Sequence, residues 1–111
     1  MLTGGAGADS FVFSAVADST LAQLDVIHDF VDGADMIDIA AIDANAAKNG
    51  NQAFAFAGQN GGVVANSVTW YENEDLGKTF VQADVNGDTT ADLLIELTGT
   101  SLHLSASDFL L

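Results

Sequence analysis

The chain has no cysteine and no proline, and among its 111 residues only two cations, Lys48 and Lys78. Without cysteine there is no disulfide, no thiolate metal site and no thiol nucleophile. Without proline, the turns fall to asparagine, aspartate and the eleven glycines. The two cations face 16 acids, and the formal net charge is −14. Three of the acids are glutamates (Glu72, Glu74, Glu96), so 16 − 3 leaves 13 aspartates. A chain of that sign repels phosphate backbones and anionic lipid surfaces, which excludes nucleic acid as a partner. No apolar run approaches the ~20 residues of a membrane helix, so insertion into a bilayer is not expected. The start, Met1-Leu2-Thr3-Gly4-Gly5, has neither a basic n-region nor an apolar h-region, so no N-terminal signal peptide is expected.

The chain is not a disordered acidic tail, because 49% of it is hydrophobic. At this length it is a single domain with a modest core. Short alternating runs lie between Gly, Asn and Asp: Ser10 to Phe13, Val26 to Phe30, Met36 to Ile39, Ala53 to Ala57, Val68 to Tyr71, Thr79 to Val85, Leu93 to Leu97 and Leu102 to Leu104. In the sixth run Thr79, Val81, Ala83 and Val85 share one face, while Phe80, Gln82 and Asp84 share the other. That is strand period. One short helix is expected over Ala40 to Ala47, rich in alanine and stopped by Asn49-Gly50.

The repeat pattern is sharper. Gly4-Gly5-Ala6-Gly7-Ala8-Asp9-Ser10-Phe11-Val12 fits G-G-x-G-x-D-x-U-x, the repeat of calcium-binding parallel β-rolls, where U is large and apolar. The glycines let a turn aim backbone carbonyls at one point, and Asp9 adds a carboxylate. Calcium takes six to eight oxygens, so one turn supplies part of a shell and a stacked turn the rest. Degenerate echoes follow in Asp25-Val26-Ile27 and in Gly33-Ala34-Asp35-Met36-Ile37, with Asp29, Asp32 and Asp38 interleaved. Stacked as rungs, these would bring Asp9, Asp25 and Asp35 to one turn face. Aspartate also ends strands and starts turns with no metal involved.

A second acidic segment is Asp84-Val85-Asn86-Gly87-Asp88-Thr89-Thr90-Ala91-Asp92. Oxygen side chains at Asp84, Asn86, Asp88 and Asp92 resemble the first part of an EF-hand loop. Glycine stands at position 4 instead of 6, and Ile95 takes the place of the bidentate glutamate, so a full EF-hand is not supported. Two readings remain: a shortened calcium loop closed by Asp92, or a metal-free turn between strands.

Leu2 to Phe13, Asp25 to Phe30, Gly33 to Ile39, Asp84 to Asp88 and the ending Ser107-Asp108-Phe109-Leu110-Leu111 together resemble the C-terminal region of serralysin-type (peptidase M10) secreted metalloproteases. That resemblance implies an all-β fold. Parallel β-roll rungs over 1–39, holding the last nonapeptide repeat, would continue into a β-sandwich-like cap over 40–111, with at most one short helix. It also implies a calcium-binding repeat-in-toxin module with metal ligands among Gly5, Gly7, Asp9, Asp25, Asp35, Asp84, Asn86, Asp88 and Asp92. Asp108, Phe109, Leu110 and Leu111 would form a type I secretion signal, with the type I export machinery as partner and an extracellular destination. Read from the residues alone, the same ending is equally well a strand that closes the core.

The family's zinc-binding H-E-x-x-H helix is absent, since the two histidines are His28 and His103, and so is G-x-S-x-G. No catalysis is expected of this chain. It reads as a piece that begins at the last repeat, whose upstream partner would be further rungs and a catalytic domain, or as a short protein whose upstream rungs are lost. Its unpaired first rung would then invite self-association. His28 and His103 read as surface or hydrogen-bonded residues, and Glu72, Glu74 and Asp75 as a solvated loop. The rival function is a glycan- or protein-binding module presenting Trp70-Tyr71 and the Asn60-Gly61-Gly62 loop.

Overall fold

The strand alternation is realised in the computed structural model, which describes residues 5–20, 23–31, 33–45, 48, 50–100, 102 and 104–111. Expectations that concern Gly4, Asp32, Ala46, Ala47, Asn49 and His103 fall outside those residues. The strands are β1 (Ser10–Val12), β2 (Asp25–Ile27), β3 (Met36–Asp38), β4 (Ala55–Gln59), β5 (Ser67–Asn73), β6 (Lys78–Ala83), β7 (Leu93–Thr98) and β8 (Phe109–Leu110). Single 3-10 turns at Val16–Asp18 and Ala106–Asp108 precede β2 and β8. Among the described residues no helix is long and apolar enough to cross a membrane.

The strands form two sheets. One has the order β1-β3-β8, every pair parallel. The other has the order β2-β7-β6-β5-β4, with parallel pairs at both ends and two antiparallel pairs between them. The path from β1 through β2 to β3 leaves one sheet, enters the other and returns, which makes one turn of a β-roll. The segment from β4 to β7 then extends the larger sheet, and β8 comes back to complete the smaller one. The fold is thus all-β, a parallel roll at the N-terminal side passing into a sandwich-like cap.

Alternation decides what lies between the sheets. Phe11, Ile37 and Phe109 stand in register across β1, β3 and β8, and all are buried. Opposite them, Ile27 pairs with Leu97, Ile95 with Val81, and Leu93 with Ala83, all at 1% exposure or less. Phe56 meets Phe109 at 5.4 Å between ring centres, joining β4 to β8. Each side chain so buried is worth about 1.5–3 kcal/mol, and this shared interior holds the sheets together. β6 is buried on both faces: Phe80 and Gln82 are covered as well as Thr79, Val81 and Ala83. Trp70 is 6% exposed and belongs to the same core, while Tyr71 stacks on Phe80, so the pair forms no surface platform.

Three local expectations are corrected. Residues 40–45 are turns instead of helix. Asp38 Oδ1 accepts the N–H of Ala40, and Asp43 Oδ1 accepts those of Asn45 and Gln52, each at 3.0 Å. Short aspartate side chains there outcompete the helix that the alanines favour. Leu104 is buried but lies in no strand, nor does Leu102. β2 stops at Ile27, which leaves His28 exposed beyond it.

Candidate metal centre

The sequence singled out two acidic regions, and the fold treats them differently. At the roll turns, Asp9 and Asp35 precede the paired strands β1 and β3. Asp35 is 3% exposed and fully engaged: Oδ1 accepts the Asp9 N–H at 3.0 Å and Oδ2 the Val31 N–H at 2.9 Å. The Met36 N–H in turn bonds the Asp9 carbonyl at 2.8 Å. Asp35 therefore ties consecutive rungs together as a hydrogen-bond latch. Asp9 keeps one carboxylate oxygen, Oδ2, buried and without a hydrogen-bond partner among the described residues. A buried carboxylate oxygen with no donor is costly, and it suits a cation. Gly7 and Gly33, two residues before these aspartates, have φ of 90° and 82°, the left-handed region that favours glycine.

Asp25 is not part of that group. It opens β2 in the other sheet, opposite Ile95, and donates its N–H to Ser19 Oγ at 2.9 Å. A rung contributes one strand to each sheet, so the intermediate Asp-x-U echo falls on the far side of the roll from Asp9 and Asp35. Two further carboxylates hold the glycine turns. Asp29 Oδ2 accepts the Gly5 N–H at 2.8 Å, and Asp108 Oδ1 accepts the Gly33 N–H at 3.1 Å. Their roles had no local signal, because the partners lie 24 and 75 residues away.

The second region is the loop between β6 and β7. Asp84, at 0% exposure, collects three backbone donors: Asn86 and Gly87 on Oδ1 at 3.0 Å each, and Thr89 on Oδ2 at 2.9 Å. Asn86 Oδ1 accepts from the Asp88 N–H at 3.1 Å, and Asp88 Oδ1 from the Thr90 N–H at 2.9 Å, so each second residue turns the chain. Asp92 closes the loop: its N–H reaches the Ala83 carbonyl at 2.8 Å and its Oδ2 accepts the Val85 N–H at 2.9 Å. The result is a convergent triad, with one carboxylate oxygen each from Asp84, Asp88 and Asp92 within 4.8 Å of one another. Lys78 is committed to Glu96 at 3.0 Å. Asn86 is exposed and shapes the turn through its carboxamide.

Crowded carboxylates do not ionise alike. Burial pushes Asp84 up, but the N–H groups of Asn86, Thr89 and Gly87, with the bond from Asp92, outweigh it and hold Asp84 below the ordinary range. Asp92 is pushed up by burial first, against the Val85 N–H, and then by its bond to Asp84 and the charges of Asp88 and Asp84. These shifts act on stability in opposite senses. Asp92, raised in the folded state, takes up its proton there first, so calcium-free protein should gain stability as pH falls toward the ordinary carboxylate range. Asp84, depressed in the folded state, contributes stability that is lost as pH falls further, through its own folded value. Urea midpoints measured against pH in chelator should show the gain in the parent chain and not in Asp92→Asn.

A convergent oxygen triad with no ion pair to a cation among the described residues fits a hard divalent cation, and calcium would draw its remaining oxygens from carbonyls or water. The description that matches the chain, over residues 2–111, is that of the peptidase M10 serralysin C terminal. The chain belongs to that family. A serralysin C-terminal domain is the non-catalytic part of such a protease. The domain is 40% identical over 92 residues to the metalloprotease AprA of Pseudomonas entomophila (strain L48), a match covering 81% of this chain and 18% of that protein. It thus spans under a fifth of that relative. In fold it is similar to the solution structure of the AlgE6R3 subunit from the Azotobacter vinelandii mannuronan C5-epimerase, with a TM-score of 0.60 and 25% identity. That likeness covers 97% of this serralysin C-terminal domain and 55% of the epimerase chain.

Proposed function

We propose that this serralysin C-terminal domain is a calcium-dependent folding and export module of a secreted metalloprotease. Residues 1–39 form its last roll rungs and 40–111 its cap, as one unit. The observation that carries the reading is the Asp84–Asp88–Asp92 triad, whose oxygens converge within 4.8 Å with no ion pair to a cation among the described residues. Gly5, Gly7 and Asp9 offer a second, incomplete set at the upstream edge, where the spare Asp9 oxygen waits for ligands from a preceding rung. Asp35 holds a rung turn and Asp25 opens β2 in the other sheet, while Asn86 shapes the triad loop and stands as a further oxygen ligand between Asp84 and Asp88.

The mechanism is linkage. In calcium-poor cytosol the carboxylates repel one another, so the folded form is less favoured than outside the cell and the newly made chain opens readily for a type I exporter. Outside the cell, calcium binds the folded form and draws the equilibrium toward it. A site filled at 100 times its Kd adds about 2.7 kcal/mol, a large share of a small domain's stability. The terminal Asp108-Phe109-Leu110-Leu111 serves the exporter as its signal while the chain is unfolded, and afterwards supplies β8. β1 and β2 are both edge strands, open to an upstream rung or to a second copy of the chain.

Titrating calcium into chelated protein under far-UV circular dichroism tests this, with magnesium as control. A cooperative gain of β signal, or a raised thermal midpoint, with calcium alone is expected. An identical folded spectrum and midpoint with and without calcium would refute the reading.

A further inference from the structure

Three Asn-Gly pairs punctuate the chain, Asn49-Gly50, Asn60-Gly61 and Asn86-Gly87. Such pairs are chemically labile, because a glycine nitrogen meets no Cβ hindrance when it attacks the preceding carboxamide. Asn49 lies outside the described residues. The other two make a controlled comparison. Both pairs are exposed. Both asparagines make the same side-chain bond, with Oδ1 accepting the N–H two residues on: Gly62 to Asn60 at 3.0 Å, and Asp88 to Asn86 at 3.1 Å, although Gly87 has a positive φ of 79° and Gly61 does not. In each, that bond fixes the carboxamide over the following peptide and polarises its carbonyl.

They differ at the attacking atom. The Gly87 N–H is donated to Asp84 Oδ1 at 3.0 Å, inside the buried carboxylate cradle. Its nitrogen must give up that bond before attacking, and it must shed a proton beside a negative charge. The Gly61 N–H has no protein acceptor among the described residues, and open space surrounds its α-carbon. Asn60 itself is anchored through its N–H to the Trp70 carbonyl at 2.8 Å.

We propose that Asn60 is a site of spontaneous deamidation, and that Asp84 protects Asn86 from the same reaction. The Gly61 nitrogen loses its proton and forms a bond to Asn60 Cγ. The bond from Cγ to Nδ2 breaks and ammonia leaves. Water then opens the five-membered imide at either carbonyl, giving aspartate or isoaspartate and one more negative charge. No oxidant or reductant is involved. The modification falls in the connection between β4 and β5, outside the Asp84–Asp92 loop. At Asn86, isoaspartate would lengthen the backbone of the triad loop itself, so the same carboxylate that organises the loop keeps its chemistry intact.

The test incubates the whole chain at mildly alkaline pH in chelator, folded and in concentrated urea, and follows each asparagine by peptide mapping with mass spectrometry. In the folded protein Asn60 should convert roughly tenfold or more faster than Asn86, the size expected of one charge-assisted hydrogen bond that must break first. In urea the two rates should converge. Asp84→Asn, checked for a folded spectrum, should bring the Asn86 rate toward that of Asn60. Equal rates in the folded protein, or a gap that persists unchanged in urea, would overturn the proposal.

Discussion

Asp84→Ala should lower the unfolding free energy by about 4 kcal/mol, measured by urea denaturation in chelator so that calcium plays no part. The carboxylate is wholly buried and takes three backbone N–H groups from the loop that follows it. Hydrogen bonds to an ionised group are worth about 1.5–3 kcal/mol each. Residues 86–90 are exposed, so water recovers part of that loss. The sum is still a large fraction of the roughly 5–15 kcal/mol by which domains are stable. Asp84→Asn keeps the shape and one accepting oxygen, and should cost about half as much. An alanine variant within about 1 kcal/mol of the parent would mean that the loop organises itself without Asp84.

Asp108→Ala should cost about 3 kcal/mol and act at the other end of the fold. Asp108 is 1% exposed; Oδ1 accepts from Gly33 at 3.1 Å, and Oδ2 from the Ser105 N–H at 2.8 Å, with the Ser105 hydroxyl at 3.3 Å. It therefore fastens the turn before β8 to the turn before β3. Its loss should release Phe109 from Ile37 and Phe56, so carboxypeptidase trimming of the last residues should accelerate along with the fall in urea midpoint. Trimming at the parent rate would show that Phe109 alone holds the strand. The same change to Asp88, which is exposed and bonds only within its loop, should leave chelator stability within about 0.5 kcal/mol.

Much of the fold was legible because period-two alternation survives even in strands of three residues. Phe11 and Ile37 announced their inward face through neighbours that point outward. The helix expected from Ala40 onward failed over residues 40–45 for a reason that alanine propensity does not contain, since Asp38 and Asp43 bind the backbone locally and Ile42 and Ala44 are needed in the core. Asp25 carried the right local motif on the wrong side. Asp9 and Asp35 stand 26 residues apart, one full circuit of the roll, and the echo between them falls in the opposite sheet. Asp-x-U marks the start of a strand but not the sheet that receives it. The triad was legible as a choice between metal loop and plain turn, because spacing gives the oxygens but not their convergence. Asp29 and Asp108 were illegible as turn holders: nothing near them in sequence names Gly5 or Gly33.

The smaller sheet has a temporal consequence. Its middle strand, β3, is paired on one side by β1 and on the other by β8, and the Asp108–Gly33 bond spans 75 residues. A chain made vectorially presents β1 and β3 early, yet no shorter stretch can finish that sheet, because its third member arrives only with Phe109 and Leu110. Contacts so distant in sequence form slowly and late. The smaller sheet is thus a late product of synthesis, whole only once residues 109–110 have joined it.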